Sequence, residues 1–169
     1  MPFLFLCAAL LLSCAKQPAS FSSNQYTAAE TVQIDQGDEK ILQIAEDARR
    51  TLPVFFRHVT RAEAGEDHFC IKHPFRADDD SGIGMEQIWL TGIQFRNGEY
   101  YGILASDPVH INGMKKGDVV AFDVEEITDW MYVRDGKITG GRSIRYLLEN
   151  IPESRRTEGQ RQTLQMFDD

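Results

Sequence analysis

The sequence predicts one α+β domain, in which a mainly antiparallel sheet of about five strands carries N-terminal helices and a C-terminal helix. Apolar residues recur with helical spacing near the start of the domain and again near its end, and the segment between them shows alternating apolar runs. Short links join these runs, which indicates antiparallel pairing because parallel strands need long crossovers. The chain has 169 residues, of which 42% are hydrophobic, and this is enough for one core.

The first helix is predicted over residues 33–52, where apolar side chains recur at three- and four-residue steps and form one face. These side chains are Ile41, Ile44, Ala45, Ala48 and Leu52. Pro53 disfavours helix at the residue before it. Residues 53–59 are therefore predicted to form a second short helix or a kinked continuation of the first.

A closing helix is predicted over residues 143–150, and Pro152 ends it. Residues 153–169 are charged and only weakly periodic, which is typical of a solvated helix or a tail. The folded domain is accordingly predicted to span residues 33–152.

The alternating runs between these helices predict the strands. They lie at residues 69–75, 86–95, 100–105, 119–123, 127–133 and 137–139, and we predict about five strands from them. The Asn97-Gly98 pair is a strong hairpin signal, and Asp135-Gly136 indicates a second tight turn. Both turns fit an antiparallel sheet.

The N-terminus predicts export. Residues 3–12 are apolar without interruption, but this run is shorter than the roughly 20 residues that a membrane-spanning helix needs. It fits the apolar region of a secretory signal, although no Lys or Arg precedes it. The alternative is a buried N-terminal strand or helix. The small, polar residues that follow the run favour a signal peptide over residues 1–13.

The residues around Cys14 resemble the lipobox of bacterial lipoproteins, with Leu11 three positions before the cysteine and Ser13 directly before it. We therefore predict that Cys14 carries the lipid, such as palmitate, and that residues 14–32 form a tether. Ala15 is not the Asp that retains lipoproteins in the inner membrane. The predicted location is the cell envelope, on the periplasmic face of the outer membrane if the host has one.

The sequence predicts neither a metal site nor a cofactor site. The four histidines, His58, His68, His73 and His110, lack metal-ligand spacing. The acidic loop 77–84 lacks the closing Glu of a calcium loop, because the twelfth position from Asp78 is Trp89. Cys70 lies alone in the folded part and is interpreted as a small buried residue rather than a catalytic thiol.

Four segments together resemble the bacterial family called domain of unknown function 2314. They are E-Q-I-W-L before the Asn-Gly hairpin, K-K-G-D-V-V, E-I-T-D-W-M-Y, and D-G-K-I-T-G-G-R-S-I-R. The resemblance covers about residues 41–148. It implies that export as a lipoprotein is compatible with the family, and it transfers no catalytic residues. Arg142 departs from the family pattern, which has an aromatic or polar residue after the glycine pair.

Six residues form the predicted binding surface: Glu86, Trp89, Asp129, Trp130, Tyr132 and Arg145. In this hypothesis the aromatic rings line a groove for a peptide or glycan, and the charged residues are its polar ends. An arginine suits a carboxylate or phosphate because its planar fork can bind both oxygens. The alternative places Trp130 in the core, with Asp129 capping a turn or pairing with Arg142 or Arg145.

We expect a non-enzymatic, lipid-anchored binding module for a protein or another envelope component. The alternative is a small envelope hydrolase in which Glu86 and Asp129 act as a carboxylate pair, as glycosidic hydrolysis needs. The formal net charge of −8 argues against a nucleic-acid partner. The membrane is expected to be contacted through the lipid on Cys14.

Overall fold

The computed structural model describes residues 38–168. The predicted signal peptide, the tether and Cys14 lie outside these residues. The described part contains three α-helices: α1 (Glu39–Thr60), α2 (Arg142–Asn150) and α3 (Glu158–Gln165). It also contains six strands: β1 (Glu66–Arg76), β2 (Met85–Arg96), β3 (Glu99–Leu104), β4 (Val119–Phe122), β5 (Asp129–Arg134) and β6 (Lys137–Gly140).

The six strands form one sheet in the order β4-β3-β2-β1-β5-β6, and every neighbouring pair is antiparallel. The predicted α+β class and antiparallel pairing are confirmed, and the number of strands is close to the predicted five. The link between β5 and β6 is a tight turn at Asp135-Gly136, as the sequence predicted. β4 and β6 are the two edges of the sheet.

The sheet separates two apolar cores, because successive side chains of a strand point to opposite faces. The core on the α1 face includes Ala48, Leu52, Phe55, Ile71, Leu90, Trp130 and Tyr132. The core on the face of α2 and α3 includes Cys70, Met131, Val133, Ile144, Leu148 and Phe167. Helices therefore cover both faces of β5, whose first five residues are all buried.

Helix α1 continues through Pro53 as one element, so the kinked or continued alternative describes it better than two separate helices. Asp38 caps its start by accepting a hydrogen bond from the Lys40 N–H at 2.8 Å. Leu52 and Phe55, on either side of the proline, are both buried against the sheet. This packing holds the helix together where the missing proline N–H weakens it. None of the helices in residues 38–168 is long and apolar enough to cross a bilayer.

The chain turns sharply between β6 and α2 at two glycines. Gly140 has φ +80°, and a Cβ there would lie 2.2 Å from the Trp130 carbonyl oxygen. Only glycine fits this combination of positive φ and close backbone approach. Gly141, also at positive φ, is the N-cap of α2 and brings no side chain to cap the helix. The cap comes instead from the Asp129 carboxylate on β5.

Candidate functional site

The structure places three of the six residues of the predicted surface in the interior. Trp130 and Tyr132 are 3% and 2% exposed in the core under α1, and Asp129 is 0% exposed. Asp129 and Met131 face α2 while Trp130 and Tyr132 face α1, which agrees with the alternation predicted for this strand. The six side chains therefore do not share one surface.

Glu86 and Trp89 lie on β2, which β1 separates from β5. The Glu86 carboxylate accepts the N–H groups of Val109 and His110, each at 2.8 Å, and so fixes the loop before β4. The Trp89 ring lies 5.8 Å from the Lys72 ammonium. Because Asp129 has no exposed surface for a substrate, the described residues give no support to hydrolysis by Glu86 and Asp129.

Asp129 supplies the cap that Gly141 cannot. Its carboxylate accepts the backbone N–H groups of Trp130 and Ser143, both at 2.8 Å. Ser143 is the second residue of α2, so the carboxylate satisfies a helix N-terminus from a neighbouring strand. This is the capping role that the sequence left open for Asp129, at a helix rather than at a turn.

Lys72 completes this buried network. Its ammonium donates to the Ser143 hydroxyl at 3.3 Å. Burial lowers the pKa of Lys72, and the Asp129 charge opposes this shift. Burial raises the pKa of Asp129, while the Ser143 donors and Lys72 act to lower it. Since Ser143 is only 4% exposed, the network serves packing rather than nucleophilic chemistry.

One cluster has the donor set of a metal site. Ligand atoms of His58, Glu63 and Glu66 lie within 4.8 Å of one another. Arg134 already occupies this cluster, because its guanidinium pairs with both Glu66 and Glu63. His58 Nδ1 also contacts the Glu66 carboxylate at 2.9 Å. A guanidinium in the middle of the cluster repels a second cation, so we assign an ion-pair network here rather than a metal centre.

This network predicts acid sensitivity. Burial alone raises the pKa of Glu66, but the Glu63 N–H, Arg134 and His58 outweigh it and hold the pKa at about 2, below the ordinary 4.5. A lowered folded-state pKa stabilises the fold above about pH 4.5, and this contribution is lost as the pH falls toward 2. We expect the urea midpoint to fall between about pH 5 and 3. Glu66→Gln should flatten that dependence, whereas Glu63→Gln, at a carboxylate that is 66% exposed, should retain it.

A cavity of about 410 Å³ lies beside Cys70. Its lining is largely apolar: Val59, His68, Phe69, Cys70, Thr91, Gly92 and Ile93. Burial raises the pKa of the Cys70 thiol to about 12, so the thiol stays protonated at neutral pH. Cys70 is thus a small buried residue, as predicted.

A groove of about 470 Å³ lies at the outer edge of β6, and we call it the α1–α2 groove. It is lined by Lys40, Ile44, Asp47, Ile138, Thr139, Gly140, Arg142, Arg145, Tyr146, Glu149, Phe167 and Asp168. The Tyr146 hydroxyl donates to the Asp38 carboxylate at 2.8 Å and ties α2 to the start of α1. The groove is therefore held between fixed elements.

Arg145 is the one residue of the predicted surface that lines this groove. It donates to the Glu149 carboxylate and to the Asp168 carbonyl oxygen, each at 2.8 Å. The other charged and aromatic lining residues were not predicted, Arg142 among them. A signal was present for Arg142: a cation in the first turn of a helix is locally unfavourable and suggests another role.

The chain folds as an α+β domain with two cores, and it belongs to the family described as uncharacterized protein conserved in bacteria (DUF2314). It matches this family over residues 38–164, which confirms the family that the sequence resembled.

Two relatives are similar over most of the chain. The chain is 31% identical over 129 residues to a protein of Neisseria meningitidis serogroup B (strain ATCC BAA-335 / MC58) whose name describes it as an ankyrin repeat protein. That match covers 74% of this chain and 51% of the relative, so the chain spans about half the relative's length. The chain is also 32% identical over 111 residues to the uncharacterized protein YegJ of Escherichia coli (strain K12), covering 66% of this chain and 69% of YegJ. No solved structure matches the chain significantly.

Proposed function

We propose that this protein is a non-enzymatic binding module, held at the cell envelope by a lipid on Cys14, that takes a ligand in the α1–α2 groove. The proposal rests on the shape and lining of this groove. Its volume of about 470 Å³ lies in the range of small-molecule sites, about 300–1,000 Å³. Its walls combine apolar side chains with charged ones, as ligand sites do.

The charges of the groove favour binding over hydrolysis. Each of the three carboxylates described along its walls contacts a cation: Asp47 with Arg50, Glu149 with Arg145, and Asp168 with Lys137. The hydrogen bond from Arg50 lowers the pKa of Asp47. A carboxyl group that acts as a general acid needs a raised pKa instead.

The Neisseria relative adds independent support. The chain matches about half the length of this relative, whose name describes it as an ankyrin repeat protein. Ankyrin repeats stack into solenoids with extended concave binding surfaces. A family domain that accompanies such a surface is more consistent with recognition than with catalysis.

The anchor predicts a clear change in fractionation. Cys14→Ala should move the protein from the membrane fraction to the soluble periplasmic fraction, because a protein held by its lipid loses membrane affinity without it. Immunoblots of separated fractions measure this. Ser20→Ala, in the predicted tether, is the matched control and should leave the protein with the membranes. A Cys14→Ala protein that stays with the membranes would rule out the lipid anchor.

The binding role is tested in living cells by a photo-crosslinking residue. Lys40 lies on the exposed side of the groove, and Arg76 lies outside it with 82% of its side chain exposed. We expect a discrete cross-linked adduct when the probe replaces Lys40 and none when it replaces Arg76. No adduct from Lys40, or the same adduct from both positions, would contradict a binding role for the groove.

A further inference from the structure

Arg142 lines the groove and has a hydrogen-bond donor that no described residue accepts. Its guanidinium carbon lies 5.2 Å from the centre of the Trp130 ring. Its Nη1 atom is buried, and within residues 38–168 it has no hydrogen-bond partner. The arginine side chain carries only donors. A buried guanidinium N–H without an acceptor therefore loses its hydrogen bonds to water and gains none from the protein.

The position of Arg142 is also unfavourable within its helix. It is the first residue of α2, where the positive end of the helix dipole disfavours a cation. Asp47 acts on Arg142 only through its charge, since the Asp47 carboxylate is hydrogen-bonded to Arg50 at 2.7 Å. In the part of the chain that the structure describes, Arg142 forms no ion pair within 4.0 Å. The guanidinium lies over the Trp130 ring, and within residues 38–168 its Nη1 atom has no acceptor.

Building on the proposed function, we infer that the α1–α2 groove recognises the carboxyl terminus of a peptide, with Arg142 binding the terminal carboxylate. A guanidinium binds both oxygens of a carboxylate through paired N–H donors. Ile44, Ile138 and Phe167, which are 4–8% exposed, form the apolar floor of the groove beneath the side chain of the last residue. A peptide ending in an apolar residue presents these two features side by side.

The neighbouring charges distinguish a carboxylate from a phosphate. The carboxylates of Asp47, Glu149 and Asp168 also line the groove. They repel a doubly charged phosphate more strongly than a singly charged carboxylate.

Strand β6 is an edge of the sheet and forms one wall of the groove. Ile138 of β6 forms a parallel bridge with Phe167, and the Ile138 N–H donates to the Met166 carbonyl oxygen at 2.8 Å. At Ile138 the outer edge of β6 is therefore already paired with the chain's own Phe167. The groove extends along Thr139 and Gly140 toward Arg142.

Calorimetric titration of the mature protein tests this inference. The probes are acetyl-Ala-Ala-Leu, acetyl-Ala-Ala-Phe and acetyl-Ala-Ala-Ala, each as the free acid and as the terminal amide, together with inorganic phosphate. We expect the Leu and Phe acids to bind about tenfold more tightly than their amides, and more tightly than the Ala acid or phosphate. Arg142→Gln should remove the preference for the acid, while Arg76→Gln should preserve it.

Thermal unfolding of the same variants separates recognition from a structural role. Arg142→Gln keeps two of the three methylenes of the stem and removes an unpaired donor and a badly placed charge, so we expect its Tm to be no lower than that of the wild type. A clearly lower Tm would assign Arg142 to the fold and overturn the inference.

Four binding results would also overturn it: no binding of any acid, equal binding of acid and amide, preference for phosphate, or unchanged selectivity in Arg142→Gln. A cross-linked partner at Lys40 without acid selectivity would remove this inference and leave the proposed function standing.

Discussion

Replacing Asp129 with Ala is expected to lower the free energy of unfolding by about 3–5 kcal/mol. The carboxylate accepts the N–H groups of Trp130 and Ser143 in a fully buried position. Its removal leaves both donors without an acceptor and α2 without a cap. It also leaves the ammonium of Lys72 without the carboxylate that opposes its burial. Breaking a buried charged network in this way is among the most costly single substitutions.

Urea unfolding followed by circular dichroism measures this loss. Asp129→Asn keeps an acceptor but removes the charge, so its free energy of unfolding should lie between that of the wild type and that of Asp129→Ala. Asp80→Asn, in an exposed loop, is the matched control and should change stability by less than about 0.5 kcal/mol. A loss below about 1 kcal/mol for Asp129→Ala would show that the network does not stabilise α2.

Trp130→Ala is expected to cost about 3–5 kcal/mol, because it opens a large cavity under α1. The ring packs against Phe55, with ring centres 5.5 Å apart. Its indole N–H donates to the Ala48 carbonyl oxygen at 3.1 Å and to the Thr51 hydroxyl at 3.0 Å. The substitution therefore removes both the apolar contact and the polar link between β5 and α1.

Trp130→Phe separates these two contributions, since it retains much of the ring volume and loses only the N–H donor. Its loss in urea unfolding should be less than half that of Trp130→Ala. Trp89→Ala, at the partly buried tryptophan on the opposite face, is the comparison and should cost less than Trp130→Ala. Equal losses at the two tryptophans would contradict the central position assigned to Trp130.

The sequence does not show that both faces of β5 are buried, and for this reason its residues were predicted to form a surface. Strand periodicity correctly separated Asp129 from Trp130, but it gives only the relative orientation of neighbours. Whether a face is exposed depends on which helices cover it, and both faces of β5 are covered. The need for a remote cap arises from Gly141, and the link from Gly141 back to Asp129 is a tertiary one.

The C-terminal region contained a signal that the prediction of a charged helix or tail did not use. Thr157 and Gln160 have the spacing of a capping box, and the structure shows both of its hydrogen bonds at the start of α3. Phe167 follows this helix and enters the second core. That contact could not be predicted, because it depends on the position of β6.

The groove itself was beyond prediction for the same reason. It joins the start of α1, the end of β6, α2 and the residues after α3, which are separated by most of the chain. Only Arg145 was identified among its lining residues. The sequence contained the chemistry, a cation in a helix first turn at Arg142, but not the surroundings that give this cation its role.

Chemical-shift mapping of acetyl-Ala-Ala-Leu on the ¹⁵N-labelled protein tests the assignment of the groove most directly. We predict saturable shifts at the amides of Thr139, Gly140 and Arg142, and at the indole N–H of Trp130 beneath the Arg142 guanidinium. The amide form of the peptide should produce much smaller shifts at these positions. Shifts centred instead on Thr91, Gly92 and Ile93 beside Cys70, or no saturable shifts, would contradict the account.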